Sequence, residues 1–126
     1  MILGVGIDLT PIDRIERVLG RYDGRFQERV FTGDERVYCM ARARPAEHFA
    51  ARFAAKEALL KALGVPPGLQ WHELEVVSEP ERPPRLVIRG AALRAATAMG
   101  VKRLHLSLTH AGGQAAAVVV LEGDGG

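Results

Sequence analysis

Apolar and polar positions along the chain fall into short blocks separated by clear breakers. Ile2 to Leu9 is a run of apolar and glycine residues, which predicts a short buried strand. Thr10-Pro11 then opens a helix to about Leu19, because Thr caps well and Pro suits the first helical position; Gly20 stops it. Residues 21–32 are turn-rich, and Thr32-Gly33-Asp34 restarts a helix to about Ala43. Pro45 to Gly64 is the clearest helical segment, followed by the breakers Pro66, Pro67 and Gly68. Trp71–Ser78 and Arg85–Arg89 read as strands, Gly90–Met99 as an Ala-rich helix, and Arg103–Thr109 with Gln114–Leu121 as a hairpin turned at Gly112-Gly113. Regular strand–helix alternation is missing, so the pattern predicts an α+β fold: one small domain whose largely antiparallel sheet packs on a long central helix. That domain is expected to span residues 1–122, with 123–126 as a flexible tail. Ala115 to Leu121 is apolar at every position, which predicts a strand covered on both faces, the second cover coming from another subunit.

Composition narrows the class. A chain of 126 residues with 48% hydrophobic and 25% charged residues is an ordinary globular domain, neither disordered nor fibrous. No apolar run reaches the roughly 18 residues of a membrane span, and Asp8 within the first ten residues argues against a signal peptide. Cys39 is the single cysteine, so no internal disulfide forms and a reducing cytoplasm is expected. A net charge of +2 decides little by itself.

Four features resist a purely structural account. On a helical wheel of about 100° per residue, Phe49, Phe53, Leu60 and Leu63 form a stripe. Lys56 projects into that stripe, with Glu57 at its edge and Lys61 beyond; a snorkelling lysine and a surface Glu57–Lys61 pair are the plain alternative. Asp8 ends an apolar strand, where a carboxylate is costly unless charge or a turn compensates it. A carboxylate from a strand end and one from a helix edge are common equipment for Mg²⁺, which keeps its other sites for water and substrate phosphate. Arg52, Lys56 and Lys61 would then face the phosphates, without any Walker-type glycine loop. In RLHLSLTH, the polar face of His105, Ser107 and Thr109, with His110 at the end, is suited to line a pocket or simply to meet solvent. Arg14, Arg17, Arg21 and Arg25 recur at helical spacing: a solvated face, or a stripe for an acidic protein.

The segments GVGIDLTPIDRIE, FAARFAAKEALLKALG and LHLSLTHAGGQAAAVVVLE together resemble the holo-[acyl-carrier-protein] synthases, the small trimeric branch of the 4′-phosphopantetheinyl transferases, in order and spacing over nearly the whole chain. The resemblance implies that fold, and transfer of the 4′-phosphopantetheine arm of coenzyme A to a serine of apo acyl carrier protein. It implies Asp8 and Glu57 as Mg²⁺ ligands, and Arg52, Lys56, Lys61, Ser107 and His110 as coenzyme A contacts. It further implies Arg14, Arg17 and Arg21 as the docking surface for the carrier, and homotrimers with sites at subunit interfaces. Glu57, or a water held beside it, is the nearest candidate base for the serine proton. The competing reading is a basic trimeric module for nucleic acid or another acidic partner. With only 6% aromatic residues there is little for bases to stack on, so neither nucleic acid nor membrane is expected as a partner.

Overall fold

Strand β1 runs from Ile2 to Pro11 and pairs antiparallel with β5, Gln114–Glu122, which pairs in turn with β4, Arg103–Ala111. The computed structural model describes residues 1–125, Tyr22 by its backbone alone. The three-stranded sheet has the order β1-β5-β4, and a separate two-stranded ribbon pairs β2, Leu74–Val77, with β3, Arg85–Ile88. Five helices complete the fold: α1 Ile12–Leu19, α2 Arg25–Val30, α3 Gly33–Met40, α4 Pro45–Ala62 and α5 Gly90–Met99. The expected α+β class and antiparallel pairing hold. No helix among the described residues is long and apolar enough to cross a membrane.

Helix α4 is the axis of the molecule. Alanines at 46, 50, 51, 54, 55, 58 and 62 are buried along with Phe49 and Leu59, so the helix is enclosed nearly all round rather than along one stripe. Small side chains let neighbouring backbones come close, and β1 exploits this at two glycines. A Cβ on Gly6 would collide with the Ala58 carbonyl oxygen, and one on Gly4 with that of Ala62. The strand is thus seated directly on the helix backbone.

Several boundaries differ from expectation, each for a local reason. Thr10 remains in β1 because its hydroxyl donates to the Asp8 carboxylate (2.8 Å), and Pro11 becomes the cap of α1. The segment expected to be irregular contains α2, which starts after Gly24 in the left-handed region (φ 82°). Thr32 and Glu35 form a reciprocal capping box that starts α3. Strand β5 alternates: Ala115, Ala117, Val119 and Leu121 are buried under α4, and the intervening residues face outward, half-buried. Its second face has no cover among the described residues. Neither has the outward face of β1, where Val5, Ile7 and Leu9 are 59%, 66% and 64% exposed. At the other end, Gly123 is not loose: its N–H donates to the Met1 carbonyl (2.8 Å), and the residue is buried. Gly126 of the expected tail lies outside the described residues.

Candidate active site

The seating of β1 on α4 brings Asp8 beside Glu57 and Lys61. Lys61 Nζ donates to Asp8 Oδ1 (3.2 Å) and to the Ile7 carbonyl (3.0 Å), while Thr10 holds Asp8 Oδ2. Asp8 is largely shielded from solvent, its side chain 17% exposed, and Lys61 is half exposed. Burial pushes the Glu57 carboxyl above its usual range, and the Asp8 charge pushes it further, against the pull of Lys61. Two carboxylates held close enough for the Asp8 charge to raise the proton affinity of Glu57, with an exposed lysine beside them, are suited to a cation.

Both carboxylates line a cavity of about 320 Å³ between β1, α1 and α4. Its remaining wall is apolar, from Ile15, Val18, Phe26 and Phe53, and Arg14 stands at its rim. The described residues contain no cluster of three or more His, Cys, Asp or Glu side chains that would form a closed metal cage. The donor set fits Mg²⁺, which takes one or two carboxylates and leaves its other positions to water and phosphate; it does not fit a structural zinc.

The other residues singled out in the sequence part company here. Arg52 lies five residues before Glu57, about 140° round the helix. It is buried, stacks on the Tyr38 ring at 4.2 Å, and donates to Ser78 Oγ and to the His48 carbonyl (3.4 Å). Its Nε has no partner. Arg52 lines a second hollow with His48, Ser78, Arg82, Thr109 and His110. Burial first, then the Arg52 and Arg42 charges, hold His48 below its usual value, which marks this hollow as electropositive. Ser107 sits on the outward face of β4, exposed, and lines neither cavity.

Lys56 requires a correction. It is wholly buried, with its ammonium on Glu35 Oε1 (2.7 Å), the Val30 carbonyl (2.8 Å) and the Trp71 carbonyl (3.3 Å), so it has no donor free for a phosphate and no path to one. Of the arginine stripe, only Arg14 lines the carboxylate cavity; Arg17 is exposed and paired with Asp13 (3.6 Å), and Arg21 follows the Gly20 break. A larger groove of about 950 Å³ carries Asp13, Glu16 and Glu47 beside Arg44 and His110, with Arg44 paired to Glu47 (3.4 Å). Sequence reasoning missed Glu35, Tyr38, Ser78 and Arg82. The Thr-x-x-Glu spacing of residues 32–35 fits a capping box, but no local spacing announces that Glu35 also meets a lysine 21 residues on.

The fold and the paired carboxylates on β1 and the central helix define a small phosphopantetheinyl-transferase architecture. The chain belongs to the 4′-phosphopantetheinyl transferase superfamily, whose family model matches residues 4–119. Within it, the chain is 51% identical over 128 aligned positions to a holo-[acyl-carrier-protein] synthase of Anaeromyxobacter dehalogenans, covering 99% of both chains. Among solved structures it resembles the coenzyme A complex of the Helicobacter pylori holo-[acyl-carrier-protein] synthase (31% identity, TM-score 0.80, 94% of this chain and 99% of that one). The coenzyme A complex from Chronobacterium ammoniagenes is similar at 30% identity and a TM-score of 0.81, covering 96% and 97%.

Proposed function

We propose that the protein is a holo-[acyl-carrier-protein] synthase: it transfers the 4′-phosphopantetheine arm of coenzyme A to a serine of apo acyl carrier protein and releases adenosine 3′,5′-bisphosphate. The observation that carries this reading is the convergence of Asp8 and Glu57, from β1 and α4, on one cavity whose rim holds Arg14. Asp8 and Glu57 would hold Mg²⁺, which when bound supplies the positive charge that a diphosphate needs as its leaving phosphate takes on charge. Lys61 adds a mobile cation at the same edge, half exposed and able to leave Asp8 for a phosphate oxygen. Glu57, desolvated and facing a carboxylate, has the raised proton affinity suited to receive the serine proton. Arg14, an exposed rim charge, meets the acidic carrier and brings its serine toward the cavity.

The second hollow is the other half of the site. It gathers Arg52, Arg82 and His110, with Arg52 on a different side of α4 from Glu57, and the buried Arg52 keeps an unpartnered Nε. A single coenzyme A, which carries a ribose 3′-phosphate as well as its diphosphate, is best served if the hollow of one subunit faces the carboxylates of the next. The bare apolar strip of Val5, Ile7 and Leu9, continued by Val118 and Val120 of β5, supports a homotrimer built on this sheet face. The enzyme would work in the cytoplasm, in keeping with its single unpaired Cys39.

The direct test is to incubate the protein with Mg²⁺, coenzyme A and purified apo carrier proteins and weigh each carrier by mass spectrometry. A gain of one phosphopantetheine arm on a serine is the expected result. No gain on any carrier, with Mg²⁺ and coenzyme A in excess, would overturn the reading.

A further inference from the structure

Lys56 has three ammonium protons and three acceptors, and each acceptor belongs to a different segment. Glu35 comes from α3, the Val30 carbonyl ends α2, and the Trp71 carbonyl opens the short 3₁₀ turn Trp71–Glu73 ahead of β2. The Glu35 carboxylate is equally committed. Its Oε1 also accepts from Thr32 N–H (2.8 Å), and its Oε2 accepts from Val76 N–H in β2 (2.8 Å). Both side chains are fully buried.

A buried ion pair is a poor device for stability alone, since a well-packed apolar pair of similar volume often serves as well or better. It does something that apolar packing cannot: its directional bonds admit one orientation of the groups they join. Here the joined group is the residue preceding Glu57. The same lock reaches the cavity by a second route. Trp71 stacks against Phe53 (ring centroids 5.7 Å apart) and Phe53 against Phe26 (6.0 Å), and both phenylalanines wall the cavity beside the carboxylates. A site loses function when a ligating group strays by about 0.5 Å or 10–20°. A small roll of α4 about its axis would do that to Glu57 while leaving Asp8, on β1, in place.

We propose that Lys56, locked to Glu35, is a positioning residue: it fixes the roll of α4 and thereby sets the Glu57 carboxylate against Asp8. This rests on the reading of Asp8 and Glu57 as a divalent-cation pair.

Removing one partner alone would strand a buried charge and unfold the region, so the informative variants neutralise both. Lys56→Met with Glu35→Gln, and Lys56→Met with Glu35→Leu, keep volume and remove the charges. Each is first checked for a cooperative thermal transition, then titrated with Mn²⁺ by electron paramagnetic resonance, and finally assayed for kcat and for KM of the carrier. The expected result is a folded protein with Mn²⁺ affinity and kcat lowered about tenfold, as when a supporting partner of a metal ligand is lost, and with KM for the carrier unchanged. A folded double variant with the affinity and kcat of the parent overturns the proposal. So does failure of both double variants to fold, which would make the pair a folding determinant. Glu57→Gln serves as the control: if it leaves Mn²⁺ affinity intact, the cation reading fails, whatever Lys56 does.

Discussion

Asp8 and Lys56 both stood out in the sequence as charges among apolar neighbours, and the structure resolves them in opposite ways. Asp8 keeps a solvent-facing cation, Lys61, and a neighbouring carboxylate whose proton affinity it raises, so its charge remains open to a ligand. Lys56 is consumed inside the protein by Glu35 and two carbonyls. Helical spacing shows that a side chain faces inward but not whether a distant segment supplies its counter-charge, so the two were indistinguishable before folding. Asp8→Ala or Glu57→Ala is expected to reduce transfer by several orders of magnitude with little change in melting temperature, because neither side chain packs in the core. Steady-state rates over a Mg²⁺ series, with melting curves alongside, check this; full activity at limiting Mg²⁺ would refute the metal role.

At the level of elements, α4 and the β4–β5 hairpin were legible because Pro, Gly and the period of apolar residues mark their limits. The near-complete enclosure of α4 was not, since it depends on alanines that carry almost no periodic signal. The seating of β1 on that helix is the most demanding contact. Gly6→Ala places a methyl against the Ala58 carbonyl, a rigid backbone atom, and should cost about 3 kcal/mol, the upper part of the usual range for overpacking. Urea unfolding measures it; an unchanged midpoint would mean that β1 can lift from α4. Helix α1 follows β1 directly and carries Arg14 to the cavity rim. Arg14→Glu should raise KM for the carrier protein, leave that for coenzyme A nearly unchanged, and abolish much of the salt sensitivity of the rate, since a rim charge acts mainly on encounter. Kinetics against both substrates at two salt concentrations decide it, and equal losses for both would point to misfolding instead.

For the whole molecule, the sequence pointed to a partner through the unbroken apolar run of β5, and the structure adds Val5, Ile7 and Leu9 to the same uncovered face. The resemblance implied interfacial sites, but the chain alone did not show that Arg52 and Glu57, close in sequence, line different hollows, because the helix turns them apart. The proposed sharing of sites between subunits makes a sharp prediction. Asp8→Ala and Arg52→Ala subunits, each inactive alone, should regain a fraction of the parental rate when mixed and allowed to exchange, because some interfaces then join two intact halves. Absence of any recovery in mixtures shown by native mass spectrometry to contain both chains would place each site within one subunit. The contact between β1 and α4 has a longer reach. Because main chain meets main chain at Gly4 and Gly6, the spacing of Asp8 and Glu57 is not relayed through the side chains of Leu59, Leu74 or Val76. Conservative changes of volume at those core positions would therefore shift the melting temperature while the two carboxylates keep their distance.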